Sequence, residues 1–318
     1  MMISSWRKRI AAKRAGKEQQ RNGNGEMELM IPRDFRCPIS LDLKNDPVTL
    51  SSGITYDRES IEKSRKTMFP LDGEAKGYLR SVSAMHCLIW FLSSGDLSRR
   101  RNSVLALKEL VSSMEDQRKT LSLLSEIEGS IEPLFKLIKN PICSTSTKAS
   151  LTIIYHMITS SSTSSSTRQK QVTKLVNLGI VPLLLETLVD AERTMCEKAL
   201  GVLDGIVNNE QGREMARDNA LTMPVLVKKI LRVSNSATEF SVSILHKLCK
   251  TEKREDGGVL VEALQVGAFQ KLLLLMQLGC VEKTKERVSE LLKMLNLHRN
   301  KVECVDPMDN FRDLKRPF

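Results

Sequence analysis

The residues best equipped to bind a metal or attack a carbonyl are the seven cysteines and four histidines, and their spacing suits neither task. The cysteines stand at 37, 87, 143, 196, 249, 280 and 304, with no two closer than 24 residues. Structural zinc needs thiolates paired a few residues apart, and a redox pair needs Cys-x-x-Cys, so the pattern argues against both. His86, His156, His246 and His298 are too scattered for a His-x-x-x-His clasp. There is no GxGxxG, GxxxxGK[ST] or GxSxG motif, which leaves dinucleotide, nucleotide and serine-hydrolase chemistry without support. No metal and no cofactor are expected. Isolated cysteines, with no signal peptide at the N-terminus, point to a reducing compartment: cytoplasmic, with nuclear import through Arg7–Arg14 as a further option.

Residues 31–63 read as a compact module of three parts. Phe35 to Leu43 reads as a loop around Pro38 with alternating apolar residues. Val48–Leu50 and Ile54–Tyr56 are short strand candidates about a Ser52-Gly53 turn. Asp57 is placed to cap a helix that carries Ile61.

These residues resemble the U-box of ubiquitin ligases. The motif is Phe35-Arg36-Cys37-Pro38-Ile39-Ser40, then Asp46-Pro47-Val48, Gly53-Ile54-Thr55-Tyr56-Asp57-Arg58 and Ile61-Glu62-Lys63. The resemblance implies a RING-like module in which hydrogen bonds and ion pairs replace zinc. It further implies a scaffold that docks a ubiquitin-conjugating enzyme (E2) charged with ubiquitin, so that a substrate lysine attacks the thioester. The gain is one of orientation, with no covalent ligase intermediate and no catalytic side chain. Carried over residue by residue, the E2 contacts are Ile39 and Leu41, with Cys37 and Pro38 shaping the loop. The alternative is that Ile39 and Leu41 fill the module's own small core, a reading that fits Leu41 better than Ile39. Asp46, Pro47, Tyr56, Asp57 and Arg58 are assigned to the scaffold.

The resemblance stops early. The family continues with a second Cys-Pro-Val-Thr loop, a strand and a second helix, whereas this chain reads Ser64-Arg-Lys-Thr-Met-Phe-Pro-Leu-Asp-Gly73. Residues 31–63 are therefore a partial U-box. Two functions follow: an active ligase, or an inactive adaptor that binds partners through the rest of the chain.

That remainder repeats. One apolar pattern begins at Gly129, Gly179, Ala220 and Gly267, at intervals of 50, 41 and 47 residues. A second runs from Lys148, Lys198, Phe240 and Arg287 at matching intervals. Val82–Leu92 and Val104–Val111 extend both backward, with Trp90 and Phe91 placed in the core. A basal period near 41 at helical spacing is the signature of armadillo or HEAT arrays. The expected fold is mostly α, an armadillo-like solenoid of about five helix-pair units over 64–298, similar to the repeats of plant U-box ligases. Ser160–Thr167 is expected to be a loop that buries nothing, and Glu252–Gly258 a charged turn. Cys196, Cys249, His156 and His246 fall in apolar patterns and are assigned to the core. Residues 299–318 are assigned to a C-terminal tail, in which Cys304–Phe318 resembles the short tail of the same plant group.

Such a ladder offers a groove for a substrate or receptor protein, to which Asn208 and Asn209 could contribute. A solvated helix end is the plainer reading of that pair. Lys228, Lys229 and Arg232 would suit an acidic partner. The resemblance also suggests plant stress and immune signalling.

Composition agrees with these elements. Aromatics are 4% of a chain that is 41% apolar, so its core is aliphatic, as packed helices prefer. Of the net charge of +11, residues 1–25 carry seven cations against one acid. Residues 1–30 read as a basic disordered tail, with a weak membrane-surface helix through Ile3, Trp6 and Ile10 as a further option. Nucleic acid is not expected, since no stacking platform accompanies the charge. No run of 18 apolar residues exists to form a transmembrane segment.

Overall fold

Leucine, isoleucine and valine recurring at helical spacing produce fifteen helices among the described residues. The computed structural model describes residues 35–37, 43–49, 55–59, 71, 73–113, 116–161, 164–252 and 258–299. Two compact units divide the chain, 1–69 and 70–318. The expected tail 1–30, Pro38, Ile39 and Leu41, and the C-terminal tail beyond Arg299 lie outside the described residues.

In the first unit, strands β1 (Pro47–Thr49) and β2 (Thr55–Asp57) pair antiparallel, with Val48 opposite Tyr56. An isolated bridge joins Arg36 to Leu43.

In the second unit the helices run in threes. They are α1 (Gly73–Leu79), α2 (Val82–Ser94) and α3 (Leu97–Ser112); α4 (Gln117–Glu126), α5 (Ile131–Lys139) and α6 (Ser144–Thr159); α7 (Ser165–Asn177), α8 (Ile180–Asp190) and α9 (Arg193–Ile206); α10 (Glu210–Asp218), α11 (Thr222–Lys229) and α12 (Asn235–Lys250); and α13 (Gly258–Gln265), α14 (Ala268–Leu278) and α15 (Glu282–His298). The third helix of each group packs on the third helix of the next, so α3, α6, α9, α12 and α15 form a continuous ladder. Each second helix packs against the third of its own group. The core between these layers is aliphatic. Helix α8 alone buries Ile180, Val181, Leu184, Leu185 and Leu188, and burial of each such side chain stabilises by about 1.5–3 kcal/mol.

Local chemistry sets the joints. Gly179 and Gly267 adopt left-handed φ values of 86° and 81°, which bend the chain by 69° and 71° between first and second helices. Any other residue would carry a Cβ penalty there. Pro133, Pro182 and Pro224 each occupy the third position of a second helix, where the missing N–H has no intrahelical partner to lose. Lys271 of α14 donates to the carbonyls of Val227 (2.7 Å), Lys228 and Ile230, closing the end of α11.

Three expectations are corrected. The repeat is a triplet of helices and not a pair: a first helix precedes each expected pair, and the least apolar of them, α10, buries only Gly212 and Ala216. Trp90 is not in the core but 58% exposed, since α2 turns Met85, Leu88, Ile89 and Leu92 inward and leaves Trp90 opposite. The serine tract is not all loop: Ser164 accepts from the N–H of Thr167 and caps α7, whose first turn is Ser165–Thr167. Cys196 and Cys249 are buried as expected, whereas His156 and His246 are only half-buried.

Candidate functional site

In the first unit a hydrogen-bonded node joins residues that lie far apart in sequence. Asp57 is 6% exposed, and its Oδ1 accepts from the backbone N–H of Asn45 at 2.7 Å and of Asp46 at 2.9 Å. The Asp57 N–H donates to Sγ of Cys37 at 3.3 Å. Cys37 is fully buried, which accounts for a thiol at this position without a metal or nucleophilic role. Arg58 closes the ring twice: its N–H reaches the Asp46 carbonyl at 2.8 Å and its Nε reaches Asp46 Oδ2 at 2.6 Å. Pro47 and Tyr56 sit in the paired strands beside it. Asp57 thus lies at the end of β2, and its carboxylate ties down the loop before β1. The node gathers Cys37, Asp46, Asp57 and Arg58.

The same node brackets the segment expected to contact an E2. The Arg36–Leu43 bridge and the Lys44 N–H to Phe35 carbonyl bond (3.0 Å) hold together the two ends of residues 38–42. Phe35 is 56% exposed beside them and was not singled out by sequence. Among the described residues no three His, Cys, Asp or Glu side chains converge as metal ligands.

The second candidate surface is the third-helix ladder. Its helices are crosslinked by ion pairs, Lys148 of α6 with Glu192 ahead of α9, Lys247 of α12 with Asp204 of α9 at 2.7 Å, and Lys250 of α12 with Glu290 of α15 at 3.2 Å, and by a hydrogen bond between His246 Nε2 and Glu290 at 2.6 Å. Burial draws the Lys247 amine below the ordinary lysine range, against the pull of Asp204. Tyr155 and Phe240 meet edge to face at 6.2 Å over Gly201, where an added Cβ would stand 3.2 Å from the Tyr155 ring. His156 is held by Gln117 at 3.2 Å, and burial together with nearby Lys198 lowers its pKa. Burial pushes the Cys249 thiol up to about 12, so it is not poised as a nucleophile.

Asn208 and Asn209 lie between α9 and α10. Asn209 is buried, and its Oδ1 accepts from the Gly212 N–H at 3.2 Å, capping α10; Asn208 is exposed. Lys229 is buried, while Lys228 and Arg232 are exposed. Sequence reasoning missed Lys108, Tyr155 and Lys247 as ladder residues. The signal that could have found them was the repeat register, since each lies seven residues beyond a corresponding position in the second repeat pattern.

Comparison with known proteins adds three findings. Residues 64–315 match the plant U-box protein ARM repeat region, and residues 31–72 match the U-box domain. U-box domain-containing protein 21 of Arabidopsis thaliana is 42% identical over 424 aligned positions, covering 92% of this chain and 94% of the relative. Since 92% of 318 is about 293 residues, about 130 of those positions face no residue here. U-box domain-containing protein 20 of Arabidopsis thaliana is 37% identical over 256 positions, covering 79% of this chain but 54% of that protein. The E3 ubiquitin-protein ligase PUB23 of Arabidopsis thaliana is 26% identical, with 84% and 93% covered. Among solved structures, a designed armadillo repeat protein superposes with a TM-score of 0.55 at 18% identity, covering 75% of this chain and 94% of the other. Another, in complex with the peptide (KR)4, gives 0.51 at 19% identity, covering 75% and 94%.

Proposed function

The chain belongs to the plant U-box proteins with an armadillo repeat region, and from that premise we propose that it acts as a ubiquitin-ligase scaffold. In this reading the first unit docks a ubiquitin-charged E2 through Ile39 and Leu41, with Cys37 and Pro38 shaping the loop. The solenoid recruits the protein whose lysine receives ubiquitin. The observation that carries the reading is the node of Cys37, Asp46, Asp57 and Arg58, which does with hydrogen bonds what paired metal ligands do elsewhere. By fixing Asn45 and Cys37 it holds the residues that flank the docking segment, and the rate gain in this reading is one of orientation. The solenoid's part is supported by the designed armadillo protein of the same fold that holds (KR)4. The place of action is the reducing cytoplasm or the nucleus.

A second reading has its own observation. About 130 aligned positions of the 42% identical relative are missing here, and the U-box and repeat matches overlap at residues 64–72 with no spacer between them. A chain lacking the second loop of its U-box would occupy partners without transferring ubiquitin, acting as an adaptor or competitor.

Reconstitution separates the two. The full chain is incubated with ubiquitin, activating enzyme, a panel of E2 enzymes and ATP. Ubiquitin chains that vanish in Ile39→Ala, with the helical spectrum unchanged, support the ligase. No chains from soluble, folded protein with any E2 leave the adaptor.

A further inference from the structure

Each second helix packs against the first helix of the following group: α2 against α4, α5 against α7, α8 against α10 and α11 against α13. No further group follows α14 among the described residues. One register position shows the consequence. Six residues beyond Gly129, Gly179 and Ala220 stand Phe135, Leu185 and Leu226, all buried. Six residues beyond Gly267 stands Leu273, which is 42% exposed. Leu274 and Leu278 lie beside it, 46% and 67% exposed, four residues apart and so on one helix face. In the second and third groups the same two positions hold Lys136 and Asn140, then Glu186 and Asp190. In the fourth they hold Val227 and Leu231, and Val227 is buried on the helix that packs against α13.

The two edges of the last group are finished differently. Three residues beyond Lys148, Lys198 and Phe240 stand Leu151, Gly201 and Ser243, all buried. The matching residue of α15 is Glu290, which is exposed and paired back to Lys250. The ladder edge thus meets water with a charge, as the end of a solenoid requires, whereas the α14 edge meets it with three leucines. The segment placed to cover those leucines is the one after α15. Between each third helix and the next first helix the chain uses three to seven residues. Eight residues separate His298 from Pro307, and Asp306-Pro307 is a helix-start pair, a capping carboxylate followed by proline at the first helical position. Met308, Phe311 and Leu314 then recur on one face at helical spacing, with Asp309, Arg312, Asp313 and Arg316 opposite, before Pro317. The ten residues 307–316 match the first helices α4, α7, α10 and α13, which run from 8 to 13 residues. The family's armadillo region also runs on past α15, matching through residue 315.

We propose that residues 307–316 dock on the end of the solenoid as the first helix of a sixth, incomplete group, placing Met308, Phe311 and Leu314 on Leu273, Leu274 and Leu278 of α14. The occupant of this apolar face is the chain's own C-terminal segment. The proposal goes beyond the ligase reading and needs neither an E2 nor a substrate.

The test is hydrogen exchange of the α14 amides in the full chain, measured over a range of protein concentrations. Phe311→Asp should speed exchange at residues 275–278 by roughly tenfold, the scale of uncovering one large apolar side chain. Arg312→Ala, on the opposite face of the segment, should leave it unchanged. Leu274→Asp should match Phe311→Asp, and adding Phe311→Asp to it should have no further effect, because both variants break one contact. If Leu274→Asp fails to fold, Phe311→Asp against Arg312→Ala carries the comparison. Unchanged exchange in Phe311→Asp, an equal change in Arg312→Ala, or additive effects in the double variant would overturn the proposal. So would protection of α14 that grows with protein concentration, the mark of a second copy on this face.

Discussion

Replacing Asp57 with alanine should release the loop before β1 while leaving the helices intact. The carboxylate accepts two backbone N–H bonds, at 2.7 and 2.9 Å. Hydrogen bonds to a charged group contribute about 1.5–3 kcal/mol each. Asn45 and Asp46 are exposed, so water recovers part of the loss, and a net cost of about 2–4 kcal/mol remains. Among the described residues of this unit only Cys37 and Asp57 are buried, so no large apolar core resists the opening. Hydrogen exchange of the Asn45 and Asp46 amides in the full chain reads the effect directly. Their protection should fall by roughly 30- to 1,000-fold, which is that free energy expressed as a local opening equilibrium. Asp57→Asn keeps an acceptor oxygen but loses the charge and should fall between the two. Circular dichroism of the helices should melt at an unchanged temperature. Unaltered protection at Asn45 and Asp46, or an equal loss throughout α2–α15, would refute the node as the local organiser.

Gly212→Ala places a Cβ 2.5 Å from the carbonyl oxygen of Ile206, a backbone atom with little freedom, and should destabilise thermal unfolding by about 1–3 kcal/mol. Gly77→Ala in α1 meets nothing within 4 Å and should instead stabilise by up to about 1 kcal/mol; the same sign at both sites would contradict the packing argument. Burial pushes the Glu132 carboxyl up, but its bond with Lys174 and the charge of Lys136 hold it below the usual carboxylate value of 4.5. A depressed folded-state pKa contributes stability that is present above the unfolded value and lost as pH falls through the folded one. Lys174→Met should therefore cost about 0.5–1 kcal/mol at pH 7, this pair being partly exposed, and almost nothing near pH 2; an equal cost at both pH values would rule the ion pair out.

The aliphatic periodicity made the ladder legible, because a solenoid repeats its core and Leu-rich spacing reports it directly. The first helices escaped because their apolar pattern is short and does not recur from group to group: α7 buries Val172, Leu175 and Val176, and α13 buries Val259, Leu260 and Ala263. Helix α10 offers only Gly212 and Ala216 to the core, and nothing in Glu210–Asp218 recurs at apolar spacing. Trp90 was misplaced because its type argues for burial while its register argues for exposure, and in a helix register decides. The node was legible as a set of residues but not as a geometry. Sequence suggests Asp57 as the cap of a helix whose residues beyond Glu59 lie outside the described ones, and folding brings its carboxylate to the amides of Asn45 and Asp46, eleven or twelve residues earlier. Local propensity carries no information about such a pairing.

The two units also differ in what their sequence is free to vary. In the first, Cys37, Asp46, Asp57 and Arg58 are each committed to a bond with another member of the set, so changing one strands its partner. In the ladder, constraint and freedom alternate along one helix. Ala149, Leu151, Ile153 and Ile154 are fully or almost fully buried and must fit between α3 and α9, but Lys148 just before them must only reach the surface. A charge at a position that packing leaves free does not follow from the fold. When successive groups place Arg101, Lys148 and Lys198 at that position, the fold accounts for their common alignment and not for their common sign.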